Sequence, residues 1–502
     1  MLLWAAGVIT RFPLVGIAAM AGSLTACADF SPPERLPAPV AELPAGYAEG
    51  ESLGAAQPLN WWHDFNDPTL NRLVDEALLA NLDIAEAAAR VEEARAQARI
   101  AGADRFPSVN ASAGANYSDT PLAGTNFGGF GGGATRLTNE TYSTGLDFAY
   151  ELDFWGRVRN DARAARADLV AAEADLRTAR LGALAETIST YFEVVDLRAQ
   201  IALAVATIDI LQDRVENTER RYDRGLVSSF ELYQLRQDYR NTQAALPQRE
   251  SQLTDAEGRL AVLLGRYAGT LRAELGDRLA PQLVFDPIPT GLPADLLIQR
   301  PDVAAAAQRF EAARFRVGAR RAELFPSLSL SSTLGTQSDS PSGVFDILDN
   351  WVLNLGASLT APLFQGGRIR ANIDVAEARY AQQTASYART VLTAYREVTA
   401  ALEDYEEQRQ RYALLFAQLQ EAEASANLQA ERYAAGVSAF TDYLDALRNL
   451  YQVRSSLSGA GRDVALARLA VHRGLGGGWT ETAATPDIPL VDRPTDGETD
   501  GS

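Results

Sequence analysis

The sequence predicts an α+β membrane protein in which lipid-facing β-strands lead into very long helices, an arrangement that occurs twice. The first indication is the segment Gly145–Phe154. Bulky apolar residues alternate there with small or acidic ones, namely Leu146, Phe148, Tyr150, Leu152 and Phe154 against Asp147, Ala149, Glu151 and Asp153. An acidic face opposite a wholly apolar face is typical of a membrane strand, which has water on one side and lipid on the other.

A long helix is predicted directly after that strand. Apolar residues recur at three- and four-residue spacing over residues 158–223, and no proline interrupts this run. At 1.5 Å per residue, such a helix is about 100 Å long. Gly225 marks a turn, and a return helix is predicted over residues 230–264, with a kink or break at Pro247. The apolar stripe of both helices indicates coiled-coil packing.

The same arrangement recurs about 210 residues later, which indicates an internal duplication. The first repeat spans residues 61–266 and the second spans residues 296–478. Strands are predicted near residues 108–118, 141–154, 327–335 and 351–364, a helix before the first strand over residues 69–104, and the second pair of long helices over residues 368–433 and 440–473. Residues 119–139 are rich in glycine and threonine and are predicted to form an exposed loop.

Four segments flank or join the repeats. Residues 1–26 have a cation, an apolar run and small residues, which is the pattern of a signal peptide. Residues 27–60 are predicted to form a lipidated, extended N-terminal tether, and residues 267–295 a proline-containing linker. The acidic segment 479–502 is predicted to be disordered. Trp61 and Trp62 are expected to pack in a core at a helix start rather than to form a ligand platform.

The run Leu24-Thr25-Ala26-Cys27 resembles a bacterial lipobox, in which the cysteine carries the lipid. Cys27 is the only cysteine of the chain, and we expect it to carry N-palmitoyl and S-diacylglycerol groups. More than one acyl chain gives stable anchoring. The alternative is a chance cysteine beside a signal cleavage site. Ala28 follows Cys27, which favours export to the outer membrane, although Asp29 comes one position later.

Composition argues against several classes of function. The net charge of −19 disfavours nucleic-acid binding. The two histidines, His63 and His472, are far apart, and no clustered nucleophile, base or ligand set stands out. We therefore expect neither catalysis nor a metal, and no cofactor apart from the covalent lipid.

Four strands cannot close a membrane barrel, and lipid tolerates no open sheet edge. The chain is therefore expected to oligomerise. Three copies give twelve strands, whereas two copies give eight strands and almost no pore.

The motifs together resemble the TolC-like outer membrane factors of the lipidated NodT/OprM type, over nearly the whole chain from Leu24 to about Leu475. They are Trp61-Trp62, Asp67-Pro68, Tyr150-Glu151-Leu152-Asp153-Phe154-Trp155-Gly156-Arg157, Arg300-Pro301-Asp302, Phe325-Pro326-Ser327 and the turn from Arg432-Tyr433 to Gly436-Val437. The resemblance implies a homotrimer with a twelve-stranded β-barrel in the outer membrane, continuous with a coiled-coil α-helical tunnel through the periplasm. It also implies docking to a periplasmic adaptor protein and an inner-membrane RND-type pump, so that substrates leave the cell.

The resemblance also assigns roles to the helix tips. Asp442 and Asp445 match gate aspartates of family members, and three-residue spacing places both on one helix face. If that face lines a threefold axis, six carboxylates converge. The alternative is two solvated surface aspartates. Arg448 matches a gate arginine, and Tyr433 and Glu231 match a link between hairpin tips. At Ser438 some members have an arginine latch, which this chain lacks.

The turns themselves resemble the adaptor-docking tips of the family. Their residues are Arg224, Gly225, Leu226, Val227 and Ser228 in the first hairpin and Gly436, Val437 and Ser438 in the second. The alternative is that these residues simply form turns that need glycine.

Other functions remain open at this point. The outer membrane component of type I protein secretion would use the same conduit, and the sequence does not identify the substrate. A structural coiled-coil periplasmic lipoprotein would explain the helices and Cys27, but not four alternating strands between helices.

Overall fold

A computed structural model describes residues 30–33, 35–44, 60–121, 136–272, 274–275, 288 and 299–477. Cys27, the predicted signal peptide, most of the predicted linker and the acidic tail lie outside these residues. The chain divides into two compact units. The first comprises Ala94–Leu169, Arg309–Thr384 and the described residues up to Arg35, and the second comprises the described remainder.

The first unit contains a four-stranded antiparallel sheet in the order β1-β2-β3-β4. The strands are β1 Ser108–Pro121, β2 Arg136–Leu152, β3 Ser327–Ser338 and β4 Trp351–Thr360. The β1–β2 hairpin is longer than predicted, because residues expected to lie in the loop continue both strands. Arg136 pairs with Asp119 across this extension at 2.9 Å. The last strand ends at Thr360 rather than near residue 364.

The register of the sheet places the alternating residues on two distinct faces. Leu146 lies opposite Leu334, which lies opposite Leu353, so the three share one face. Asp147 lies on the other face, where it accepts hydrogen bonds of 2.7 Å from Ser112 and 2.7 Å from Thr333. The apolar and polar faces predicted from the alternation are therefore confirmed for this sheet.

The helices are α1 Ala38–Ala41, α2 Pro68–Ala80, α3 Leu82–Ala103, α4 Arg157–Asp223, α5 Ser229–Leu263, α6 Pro301–Ala322, α7 Ile347–Asn350, α8 Arg368–Ala434 and α9 Phe440–Gly474. Corresponding helices of the two halves have equal lengths. The pair α3 and α6 has 22 residues each, α4 and α8 have 67 each, and α5 and α9 have 35 each.

Two details of the helices differ from the sequence prediction. The single helix expected over residues 69–104 is interrupted at Asn81, whose side chain accepts from the Asp83 and Ile84 amides and donates to the Leu263 carbonyl oxygen. This residue therefore ends α2 and caps α3. Of the kink or break expected at Pro247, a break is absent, since α5 continues through this residue. A proline removes one backbone donor, and the remaining bonds of a 35-residue helix maintain it.

The N-terminal segment also differs from a purely extended tether. Ala38–Ala41 form one helical turn, and Val40 within it is buried. Residues 30–33 belong to the first unit and contact its helix α6 and the segment before β3, as described below.

The core of the second unit forms around the paired tryptophans. Trp61 and Trp62 are both buried, which confirms that they pack in a core. Asp67 caps α2 by accepting from the Thr69 and Leu70 amides, and it also accepts from the hydroxyl of Tyr191 on α4. Burial and this hydrogen bond raise the pKa of Tyr191. Among the described helices, none has the length and apolar content needed to cross a membrane.

Candidate functional site

The two turns that resemble docking tips have the same backbone geometry. Gly225 and Gly436 each have a φ of 71°, in the left-handed region that favours glycine. In each turn, the backbone amide after the glycine donates a hydrogen bond to a carbonyl of the preceding helix. Leu226 donates to Arg221 at 2.9 Å, and Val437 donates to Arg432 at 2.9 Å. The glycine amides also donate to these helices, from Gly225 to the Tyr222 carbonyl at 2.8 Å and from Gly436 to the Tyr433 carbonyl at 3.0 Å, so each helix ends in a Schellman arrangement. Glycine is therefore required by the backbone here, whatever the turns bind.

The residues around each glycine differ in burial. Leu226 and Val437 are 64% and 68% exposed, so each tip presents an apolar side chain to solvent. Arg224 and Ser228 are also exposed, and Val227 is half-buried. The Ser228 hydroxyl caps α5 by accepting from the Glu231 amide at 3.3 Å. Ser438 does not cap α9, because the residue before that helix is Ala439 and its cap has no side-chain bond.

An ion pair joins the two helical hairpins, where the first hairpin is α4 with α5 and the second is α8 with α9. Arg448 on α9 donates to both carboxylate oxygens of Asp238 on α5, at 2.7 Å and 2.6 Å from Nη2. It also donates to Asp445 at 3.0 Å. The hydrogen bonds to Asp238 are the largest cause of the raised pKa of Arg448. Arg448 therefore connects a predicted gate aspartate to the neighbouring hairpin.

Tyr433 forms a second connection between the hairpins. Its hydroxyl accepts from Arg221 Nη1 at 2.8 Å, and its ring stacks on Tyr443 at 5.9 Å between centroids. Among the described residues of one chain, no hydrogen bond joins Tyr433 to Glu231. Among the described residues, the Glu231 Oε2 atom is buried and has no hydrogen-bond partner. The Tyr433 hydroxyl is therefore bonded to Arg221 in this chain, and the Tyr433–Glu231 link that the resemblance implies stays a prediction.

The two predicted gate aspartates lie on one face of α9, and both are exposed. Asp445 is bound by Arg448, and its side chain is 72% exposed. The opposite face of the same helix is apolar. It packs into a cluster that both hairpins share, comprising Leu211, Val215, Leu235, Phe440, Tyr443, Leu444 and Leu447. This cluster orients the aspartates outward, away from the packed hairpins.

Sequence reasoning missed three residues of this site: Asp238, Arg221 and Arg214. The guanidinium of Arg214 on α4 lies 5.4 Å from the ring centroid of Tyr443, a cation–π contact. Asp238 and Arg448 are 210 residues apart in sequence. The one available signal was the duplication, since it predicts that equivalent return helices lie side by side.

The described residues contain no group of three or more His, Cys, Asp or Glu side chains that could hold a metal ion. His472 is buried, and burial together with Arg468 lowers its pKa to about 3. It stacks on Trp61 at 4.4 Å between ring centroids. This histidine belongs to the core rather than to the tip site.

The sequence profile of the family described as "Outer membrane efflux protein" matches residues 73–266 and 292–477. The chain is 31% identical over 433 residues to "Cation efflux system protein CusC" of Escherichia coli O6:H1 (strain CFT073), covering 85% of this chain and 89% of that protein. It is 30% identical over 472 residues to "Probable outer membrane lipoprotein SilC" of Salmonella typhimurium, covering 91% of this chain and 97% of that protein.

A solved structure extends the likeness to three dimensions. The outer-membrane channel OprN superposes with a TM-score of 0.79 and 31% identity, covering 89% of this chain and 98% of that chain. The chain belongs to the outer membrane efflux protein family and is the outer membrane component of an efflux system.

Proposed function

We propose that three copies of the chain form a channel, with a twelve-stranded β-barrel in the outer membrane and a coiled-coil tunnel in the periplasm. The observation that carries this proposal is the sheet, in which β1 and β4 each have one edge with no paired strand among the described residues. An apolar face requires lipid, yet lipid tolerates no open sheet edge. Pairing β4 of one copy with β1 of the next satisfies both requirements.

The domain organisation of each copy consists of two repeats. Residues 61–266 and 296–478 form two repeats joined by residues 267–295, and the equal lengths of corresponding helices support a duplication. Each repeat contributes two strands to the barrel and two long helices to the tunnel. Residues 1–26 form the signal peptide, and the acidic segment 479–502 follows the second repeat.

The tunnel is closed at the hairpin tips. Asp442 and Asp445 of three copies form a ring of six carboxylates, which attracts cations and excludes anions. Arg448, Tyr433 and Glu231 help to set the closed state. The Arg448–Asp238 pair and the Arg221–Tyr433 bond support this role, since both join the hairpins that opening would separate.

The tips receive a periplasmic adaptor protein that also binds an inner-membrane RND-type pump. The exposed Leu226 and Val437 side chains support this docking, because both turns present an apolar group beside a rigid glycine. The docking surface comprises Arg224, Gly225, Leu226, Val227, Ser228, Gly436, Val437 and Ser438.

Cys27 carries the covalent lipid, as N-palmitoyl and S-diacylglycerol groups. The relative SilC, named a probable outer membrane lipoprotein, supports this assignment. The lipid adds an anchor in the inner leaflet of the outer membrane beside the barrel.

The mass of the detergent-extracted full-length protein tests the assembly. Light scattering corrected for bound detergent should give three times the mass of one mature chain, and the assembly should dissociate on heating. A mass of one chain in a preparation that retains its sheet would refute barrel closure between copies.

A further inference from the structure

The described N-terminal residues 30–33 are held against the rest of the first unit by contacts of three different kinds. They begin three positions after Cys27. At most about 3.6 Å per residue separates consecutive positions of an extended chain, so Cys27 lies within about 11 Å of Phe30. Whatever fixes these residues also limits where the lipid on Cys27 can be.

The first kind of contact is a hydrogen bond from an arginine to a backbone carbonyl. Arg321 donates to the Phe30 carbonyl oxygen at 3.3 Å, and Arg314 donates to the Pro32 carbonyl oxygen at 3.1 Å. Each guanidinium is oriented by an acid, Arg321 by Glu377 at 2.6 Å and Arg314 by Glu311 at 2.7 Å. Such pairing positions a planar guanidinium in advance of binding.

The second kind is a close approach that only glycine permits. A Cβ atom at Gly318 would lie 2.4 Å from the Ser31 hydroxyl oxygen and 2.9 Å from the Ser31 amide nitrogen. These distances are too short for any side chain, and one of the two partners is backbone. Gly318 lies four residues after Arg314 and three before Arg321, so the three share one face of α6. That face has the shape of a socket for the N-terminal segment.

The third kind is a stack of three aromatic rings at the junction of strands and helices. Phe30 stacks on Phe325 at 4.7 Å between centroids, and Trp155 stacks on Phe325 at 4.8 Å. The Trp155 indole N–H donates to the Pro326 carbonyl oxygen at 2.7 Å, which fixes the stack. Trp155 follows β2 and Phe325 precedes β3, so Phe30 lies at the end of the sheet where the helices begin.

We infer that α6 and this aromatic stack form a clasp for residues 30–33, which holds the acylated N-terminus at the junction between sheet and helices. The inference rests on the proposed acylation of Cys27. In this arrangement the lipid is a fixed part of the membrane-facing surface rather than a group on a free tether. Its occupant is the chain's own anchor segment, and the lipid partner is the acyl layer of the leaflet beside that end of the sheet.

The rate of trypsin cleavage after Arg35 measures how often residues 30–33 leave the clasp. Arg35 is exposed and is the only lysine or arginine between Cys27 and Arg72, so one cut releases the anchor segment. Cleavage requires a locally opened chain, and its rate therefore follows the population of the undocked segment. The purified full-length protein in detergent should be cut after Arg35 at least about tenfold more slowly than a synthetic peptide of residues 28–44.

Two variants, each with a matched control, separate the clasp from general damage. Gly318→Leu fills the socket and should raise the cleavage rate about tenfold or more, whereas Gly182→Leu should not, because a Cβ at Gly182 meets nothing within 4 Å. Phe30→Ala removes one ring of the stack and should also accelerate cleavage, whereas Phe345→Ala, at an 81% exposed phenylalanine, should not.

The cleavage rates test the clasp, and the intact mass tests the lipid. Wild-type cleavage as fast as the free peptide, or test variants that behave like their controls, would overturn the clasp. The intact mass of each protein reports acylation separately. Protection at Arg35 in a protein without acyl mass would refute the proposed lipid and the anchoring role, and would leave only a docked segment.

Discussion

The ion pair between the hairpins gives a quantitative prediction for the closed state. Asp238→Asn removes one carboxylate charge and keeps the size of the side chain, so Arg448 retains only Asp445. The Arg448 side chain is 45% exposed and Asp238 is 16% exposed. Solvent screening at that exposure limits a bidentate pair to about 1 kcal/mol for each chain. This corresponds to a factor of about five in an equilibrium between joined and separated hairpins.

Open probability in planar bilayers is the appropriate measurement, because opening must separate the hairpins that the pair joins. The Asp238→Asn channel should open more often than the wild type, by about fivefold if one chain governs the transition. The control is Glu219→Gln, which breaks the Arg236–Glu219 pair inside the first hairpin, whose arginine is about as exposed as Arg448. Equal open probabilities for wild type and Asp238→Asn, or an equal rise in Glu219→Gln, would refute a role for the inter-hairpin pair.

Three further predictions concern the barrel and the core. Leu355→Arg should impair detergent-resistant assembly, since a cation on a lipid face costs about 2–4 kcal/mol at the midplane. The control Asn354→Arg, on the opposite face, should be tolerated. Normal assembly of Leu355→Arg would mean that the two faces are reversed. His472→Gln should weaken the acid sensitivity of the unfolding midpoint. The pKa of His472 is lowered, so the stability that its neutral form contributes is complete above about pH 6.5 and is lost as pH falls toward about 3. The loss at pH 5 amounts to about 2 kcal/mol; an unchanged pH profile would contradict this. Asp67→Ala should lower stability by about 2–4 kcal/mol in chemical denaturation, because it removes a helix cap and leaves the buried Tyr191 hydroxyl unpaired, and Tyr191→Phe should cost less.

Periodicity in the sequence was sufficient for the strands and the long helices. The alternation of Leu146 with Asp147 depends only on the two-residue period of a strand, and the structure places them on opposite faces. Strand and helix ends were less predictable. Asn81 does not interrupt the amphipathic pattern of the predicted helix. In the structure its side chain also donates to the Leu263 carbonyl, which is far along the chain.

The tip site was only partly predictable for a related reason. Gly225 and Gly436 were evident, because a turn between long helices requires a left-handed residue. The partners of Arg448 and Tyr433 were not, since Asp238 and Arg221 come from the other hairpin. Contacts between two helices depend on their relative rotation, which spacing within one helix does not determine. The N-terminal clasp was not predicted from the sequence, because its arginines bind backbone carbonyls, which every residue has.

The most direct test of the channel and its gate is single-channel recording from the purified full-length protein, with wild type beside Asp442→Ala/Asp445→Ala. Both aspartates are exposed on one face of α9, so the double variant should alter the pore without unfolding the hairpins. We expect a small, cation-selective conductance in the wild type, and a larger, less selective conductance in the double variant. No conductance from a well-folded preparation of either protein would contradict the channel, and identical conductance and selectivity in the two would contradict the carboxylate gate.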